Sequence, residues 1–302
     1  MEEMTTGLCP KCGHTLQIPA ELERFSCMYC GERLTKRQLL TQPEEASCSE
    51  EDCAVSFDHA VSRLGWCVQN FRGYQKKILR DAFFEAFETY ETGCAPVIQE
   101  LNSGVRPERQ TELLDRAAEA MLDELAAGWT GKNDIEDEKV ILAIFFVPMV
   151  RKLQLPVSEE FVSLLQKKWV ERYPKSPFYL GDYESISGGF RKKFLGLCFI
   201  TTAVCQELGK PDDCAELTAF RAFRDGYLAA QPDGEALIRE YYNIAPGIVT
   251  CINTCSDRHA SYERIREQYL TPCYEDLLAG RNADCKTRYV QMVRDLEREY
   301  LN

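Results

Sequence analysis

Two Cys-x2-Cys pairs near the start of the chain constrain it more than any other feature. Cys9-Pro10-Lys11-Cys12-Gly13 is followed, with fourteen residues between Cys12 and Cys27, by Cys27-Met28-Tyr29-Cys30-Gly31. Each pair can turn tightly enough to present two thiolates to one ion, and the glycine after its second cysteine relieves the turn. Four soft sulfurs in a tetrahedron suit Zn2+, and so short a segment has too little core to fold without a metal. Cys9, Cys12, Cys27 and Cys30 are therefore the expected ligands of a zinc ribbon spanning residues 1–36. Iron held by the same four thiolates is the rival. With four cysteines in place, His14 reads as a loop residue.

The chain has 302 residues, 45% of them apolar and 28% charged, enough for one sizeable core plus a small extra module. Neither apolar run, 140–150 or 194–205, approaches the ~20 residues of a membrane-spanning helix. The acidic N-terminus, with Glu2 and Glu3, does not read as a signal peptide. A cytoplasmic protein without a membrane partner is expected. Fifteen cysteines then read as thiols and metal ligands rather than a disulfide framework. The net charge of −12 repels phosphate backbones. Within the ribbon itself, Lys11, Arg24, Arg33, Lys36 and Arg37 are offset by Glu2, Glu3, Glu21, Glu23 and Glu32. That balance favours a protein partner over nucleic acid.

Residues 37–58, acidic and proline-containing, read as a linker. A second metal site there would combine Cys48 and Cys53 with His59 and Cys67. From 59 to 180 the pattern is helical. Ile78, Ala82, Phe83, Ala86, Phe87 and Tyr90 recur three and four apart, and so do Leu114, Ala117, Met121, Leu122 and Leu125 before Gly128. Pro148 should bend or stop the apolar segment 135–150, and Ser158 should cap the next helix. Strand signals are nearly absent. The expected fold is mainly α, with a small N-terminal β zinc ribbon followed by an all-helical body. In the glycine-rich loop that follows, Gly188 and Gly189 ahead of Arg191, Lys192 and Lys193 could cradle an anion, or simply lead into a buried helix.

From Leu197 to Val249 the sequence carries Cys198-Phe199-Ile200 with Thr201, Thr202 and Ala203, then Leu217, Phe220-Arg221, Phe223-Arg224-Asp225, Tyr241-Tyr242 and Ala245-Pro246. In these pieces it resembles the CFI-box domain, a bacterial C-terminal module of unassigned activity. It departs in reading Thr-Ala-Val-Cys where other members often read Ala-Ala-Tyr-Gly, which implies a ribbon-bearing subgroup. The resemblance implies a CFI-box-like helical bundle over 181–302 and no particular reaction.

Taken on their own, Cys198 and Cys205 are small thiols in an apolar segment. The functional alternative makes Cys198 a nucleophile whose pKa is lowered by a helix N-terminus or by Arg221 or Arg224. Its general base would have to be His259. Asp212 and Asp213 read as the N-terminal cap of the next helix, and Arg221 with Asp225 as an i, i+4 pair. Arg224 is then the freer cation and, with Arg221, a candidate anion or partner contact. Pro246 should end the helix bearing Tyr241 and Tyr242, and two final helices should form a hairpin at Gly280. Together these features suggest a non-enzymatic interaction or regulatory protein, the ribbon meeting a protein partner and a helical groove holding a peptide. A thiol-dependent enzyme or redox sensor using Cys198 and Cys205 is the alternative.

Overall fold

In a computed structural model of the chain, residues 4–11, 14–29, 31–39, 49–131, 133–191, 198–255 and 257–302 are described. They divide into two compact units, Met1–Cys53 and Ala54–Asn302. In the first, β1 (Met4–Leu8) pairs antiparallel with β2 (Thr15–Pro19), and β3 (Arg24–Ser26) with β4 (Arg33–Thr35). In β2 the two-residue period of a strand turns Leu16 and Ile18 inward and leaves Thr15, Gln17 and Pro19 exposed. Cys9, Leu16, Cys27 and Leu34 form a separate small core, flanked by Phe25 and Leu39.

The second unit is helical, as the periodicity predicts. Helix α1 (Glu50–Leu64) starts in the last residues of the first unit and runs into the second, whose first half also contains α2 (Trp66–Gln69), α3 (Phe83–Gly104), α4 (Gln110–Ala127), α5 (Asp134–Ile141), α6 (Val147–Lys152), α7 (Ser158–Arg172) and α8 (Tyr183–Arg191). The second half of that unit contains α9 (Phe199–Glu207), α10 (Ala215–Ala222), α11 (Gly234–Asn253), α12 (Arg258–Ile265), α13 (Thr271–Leu278) and α14 (Asn282–Tyr300). Phe145 gathers the aromatic core, within 5.5 to 6.2 Å of the rings of Tyr74, Phe83, Phe87 and Tyr90. The carboxylate of Glu138 is wholly buried. It accepts from Arg72 Nη2 at 2.6 Å and Trp129 Nε1 at 2.7 Å, so its charge is answered. Among the described residues no helix is long and apolar enough to cross a membrane.

Several expectations fail for identifiable reasons. Helix α1 begins inside the stretch read as a linker. Ser49 Oγ accepts from the Asp52 amide at 3.1 Å, and Glu50, Glu51 and Asp52 stabilise the positive helix end. Pro148 does not stop its helix, which runs on to Lys152. A π turn, Leu142–Phe146, comes just before it, and Arg266–Leu270 stands in the same relation to Pro272. The wider turn absorbs the amide a proline lacks. Ser158 is the first residue of α7 rather than its cap, and its hydroxyl donates to the Val150 carbonyl at 2.7 Å. Gly188 and Gly189 lie within α8 rather than in a loop, while Lys192 and Lys193 fall outside the described residues. The hairpin at Gly280 does form: the glycine takes φ 73°, and Arg281 N–H closes on the Asp276 carbonyl at 2.8 Å.

Pro246 does not end α11, which continues to Asn253. The turn before it opens its Asn243 carbonyl to the Arg80 amide at 2.9 Å. One residue on, a Cβ at Gly247 would meet the Ile78 carbonyl oxygen at 1.9 Å, so only glycine permits this approach. Gly247→Ala is expected to cost about 1–3 kcal/mol or more in urea unfolding. Gly226→Ala, at an exposed position where nothing lies within 4 Å, should be neutral or stabilising by about 0.5–1 kcal/mol. Equal midpoints for the two variants would contradict this packing.

Candidate functional site

The two cysteine turns of the ribbon share one backbone closure. Cys9 N–H donates to the carbonyl of His14 at 3.0 Å, and Cys27 N–H to that of Glu32 at 2.8 Å, in each case five residues ahead. In the second turn Gly31 takes φ 72° and returns its amide to the Cys27 carbonyl at 2.9 Å. The turns also touch: the His14 ring stacks on Tyr29 at 4.3 Å, and Lys11 Nζ reaches Glu32 Oε2 at 2.5 Å. Cys9 and Cys27 are both buried in the ribbon core. Cys12 and Cys30 lie outside the described residues. Among the described residues no three His, Cys, Asp or Glu side chains are grouped to hold a metal ion. The second metal group considered above does not assemble from what is described. His59 Nδ1 is engaged with Glu100 at 2.7 Å, Cys67 is buried beside Cys94, and Cys48 lies outside the described residues.

In the helical unit the chemistry-bearing residues converge on Cys198. It immediately precedes α9, and its carbonyl accepts the Thr202 amide at 2.6 Å. Across from it lies Arg224, in a π turn, Phe223–Leu228, that widens the end of α10 and closes with Ala229 N–H on the Arg224 carbonyl at 2.9 Å. Turns of this kind are uncommon and concentrate at functional positions. Arg224 Nη1 stands 3.6 Å from Cys198 Sγ and donates to Tyr242 Oη at 2.9 Å. Its Nε and Nη2 grip both oxygens of Asp225, at 2.7 and 2.8 Å. Beside this group Tyr241 Oη accepts the Ile200 amide at 3.0 Å, one of the N–H groups left open at a helix start. Tyr241 also shares a hydrogen bond with Tyr289, whose hydroxyl is 3.3 Å from Thr201 Oγ1.

A cleft of ≈ 600 Å³, counted with the solvent it opens to, lies over this network. Its walls include Cys198, Phe220, Phe223, Arg224, Tyr241 and Val293, and no histidine is among its lining residues. His259, the base a cysteine nucleophile would need, is 3.4 Å from Glu207 instead. Arg224 is buried with its guanidinium engaged on three sides, and Arg221 holds Asp212 through its carbonyl at 2.8 Å and its carboxylate at 2.7 Å. Asp212 thus serves Arg221 rather than capping α10, whose N-cap is Cys214, and Asp225 pairs with Arg224 rather than Arg221. Cysteine pairing is what the sequence reasoning missed. Cys205 Sγ lies 3.8 Å from Cys214 Sγ, nine residues on, across a turn that helical periodicity does not describe. Cys94 Sγ lies 3.9 Å from the Cys67 carbonyl and Cys273 Sγ 3.9 Å from the Cys285 carbonyl.

Electrostatically the site holds a neutral thiol. Burial pushes Cys198 above its ordinary value, and Arg224 and Arg221 pull it back by less, the reverse of the expected net lowering. Burial raises Cys251 and Cys255 as well, and pushes Cys205 up to about 12. No family model matches the chain, and no curated protein or solved structure matches it either.

These shifts fix the sign of a pH dependence. A thiol whose pKa is raised in the fold keeps its proton after the unfolded chain has lost it. Its contribution is complete below the ordinary value of 9.0 and is lost as pH rises towards the folded value. The urea midpoint should therefore fall between about pH 9 and about 12, the window set by Cys198 and Cys205. A flat profile over that window would contradict the burial of these thiols.

Proposed function

We propose that the protein is a non-enzymatic interaction or regulatory protein, in which a zinc-bound ribbon meets a protein partner and the helical body holds its shape by buried polar contacts. The duplicated cysteine turn carries this reading. Two turns with the same five-residue closure, facing each other through His14 and Tyr29, bring Cys9 and Cys27 into one small core. Cys12 and Cys30 follow at the spacing a tetrahedral thiolate site requires, so the donor set is Cys9, Cys12, Cys27 and Cys30. Zinc in such a site is structural. It supplies the folding free energy that a four-residue core lacks.

The partner surface is supported by what this ribbon leaves in water. Met28 is 77% exposed and Tyr29 58% exposed, both on the second turn. Large side chains of these types are enriched at protein contacts. The near balance of ribbon charge favours a protein over a polyanion. The CFI-box resemblance belongs to the same reading, because Cys198, Arg224, Asp225 and Tyr242, which carry it, meet in one hydrogen-bonded group, with Tyr241 beside it on the Ile200 amide. The cytoplasmic assignment follows the abundance of reduced thiols.

One metal ion per chain is expected in protein purified without chelator, and elemental analysis distinguishes zinc from iron. Cys9→Ser and Cys27→Ser should each abolish stoichiometric metal while leaving the far-UV helical signal in place. A photo-crosslinker at Tyr29 should yield the same protein adduct in repeated trials in the protein's own cells, and replacing Met28 with Ser should weaken it. Metal retained in both cysteine variants would contradict the ribbon. Absence of a reproducible adduct would contradict the partner surface.

A further inference from the structure

We propose that Cys205 and Cys214 are a redox-active dithiol that closes to an intramolecular disulfide under hydrogen peroxide, clamping together the two helices that meet at Cys198 and Arg224. This goes beyond the interaction reading and does not depend on the metal. Cys205 lies in the last turn of α9 and Cys214 caps α10, so the pair brackets a short turn. That turn is rigid. Gly209 takes φ 69°, its amide closes on the Gln206 carbonyl at 3.0 Å, and Lys210 N–H closes on the Cys205 carbonyl at 2.8 Å. Both closures belong to a Schellman cap, which fixes the backbone of Cys205 relative to the chain that follows. Pro211 fixes the next φ, and the Cys214 amide returns to the Pro211 carbonyl at 3.1 Å.

The two sulfurs thus stand 3.8 Å apart on a turn already closed by hydrogen bonds. A disulfide needs them about 2 Å apart, a movement within reach of side-chain rotation. The chemistry around the pair is also assembled. Glu216 pairs with Lys210, whose ammonium offsets a small part of the burial that raises Cys205. Thr201, Cys205, Lys210 and Glu216 line one open cavity on the Cys205 side of the pair.

Exposure sets the order of events. Cys214 is half-buried and Cys205 is buried, so peroxide meets Cys214 first. The Cys214 thiol attacks one peroxide oxygen and the O–O bond breaks, giving a sulfenic acid and one water. The Cys205 sulfur then attacks the sulfenic sulfur, the S–O bond breaks, and the departing hydroxide takes the Cys205 proton as a second water. Two thiols lose two hydrogens, and one peroxide becomes two waters. The other close pairs, Cys67 with Cys94 and Cys273 with Cys285, are fully buried, so peroxide does not reach them in the folded state.

The test treats the native full-length protein with dilute hydrogen peroxide, blocks remaining thiols, and cleaves after Glu207 and Glu216 without reduction. A peptide pair joined through Cys205 and Cys214, two hydrogen masses lighter than its parts, is the expected product. Cys198→Ser should leave it in place. Cys214→Ser, a substitution at a half-buried position, should abolish it, and in Cys205→Ser a dimedone adduct should accumulate on Cys214. The proposal is overturned if Cys214 remains fully alkylatable after peroxide, or if it is found joined to Cys198. It is equally overturned if Cys214→Ser leaves the cross-link intact.

Discussion

A single buried guanidinium organises the second half of this molecule. Arg224 answers Asp225 with two parallel hydrogen bonds, donates to Tyr242 from α11, and lies against Cys198 at the start of α9. Such planar, multi-donor recognition is what arginine offers and lysine does not. Asp225 is largely exposed while Arg224 is not, so the pair sits at a boundary between core and solvent. Its value lies less in net stability than in fixing one register, because any shift would strand a cation without its acceptors. Three elements distant in sequence are thereby held to one arrangement, and the tyrosine chain through Tyr241 and Tyr289 extends it to α14.

The same contacts support the proposal that this constellation is architectural. A nucleophilic cysteine needs a base and a stabilised thiolate. Cys198 has two nearby arginines, but burial outweighs them, and His259 is engaged elsewhere with Glu207. The ribbon differs in kind, because a core cluster of Cys9, Leu16, Cys27 and Leu34 is too small to offset the entropy of ordering its strands. The proposed metal would make up that deficit. The backbone closes in the same way after Cys9 and after Cys27.

Much of the architecture was legible in the sequence because it rests on local rules. The three-and-four spacing of Phe83, Phe87 and Tyr90 marked α3, and Gly280 marked a turn, since both depend on nearby residues alone. Proline misled where tertiary packing prevailed. Pro148 follows a π turn, and the turn before Pro246 gives its carbonyl to Arg80. The acidity of 50–52 was read as solvation when it belonged to a helix start. At the site, the residues were named but their pairings were not. Asp212, read as a helix cap, holds Arg221, and Asp225, read as the partner of Arg221, grips Arg224; Cys214 went unnoticed because a sulfur contact across a glycine turn leaves no periodic signature.

The cysteines therefore fall into roles set by their surroundings rather than by their number. Cys198 is packed behind Arg224 as a neutral thiol, while Cys214 is half-buried at the edge of an open turn. The most direct measurement is the alkylation rate of each cysteine in the native protein at neutral pH, resolved by mass spectrometry. The account predicts that Cys214 reacts readily and Cys198 stays unmodified until the protein unfolds. Rapid alkylation of Cys198 in the folded state would contradict it and make that thiol a reactive centre.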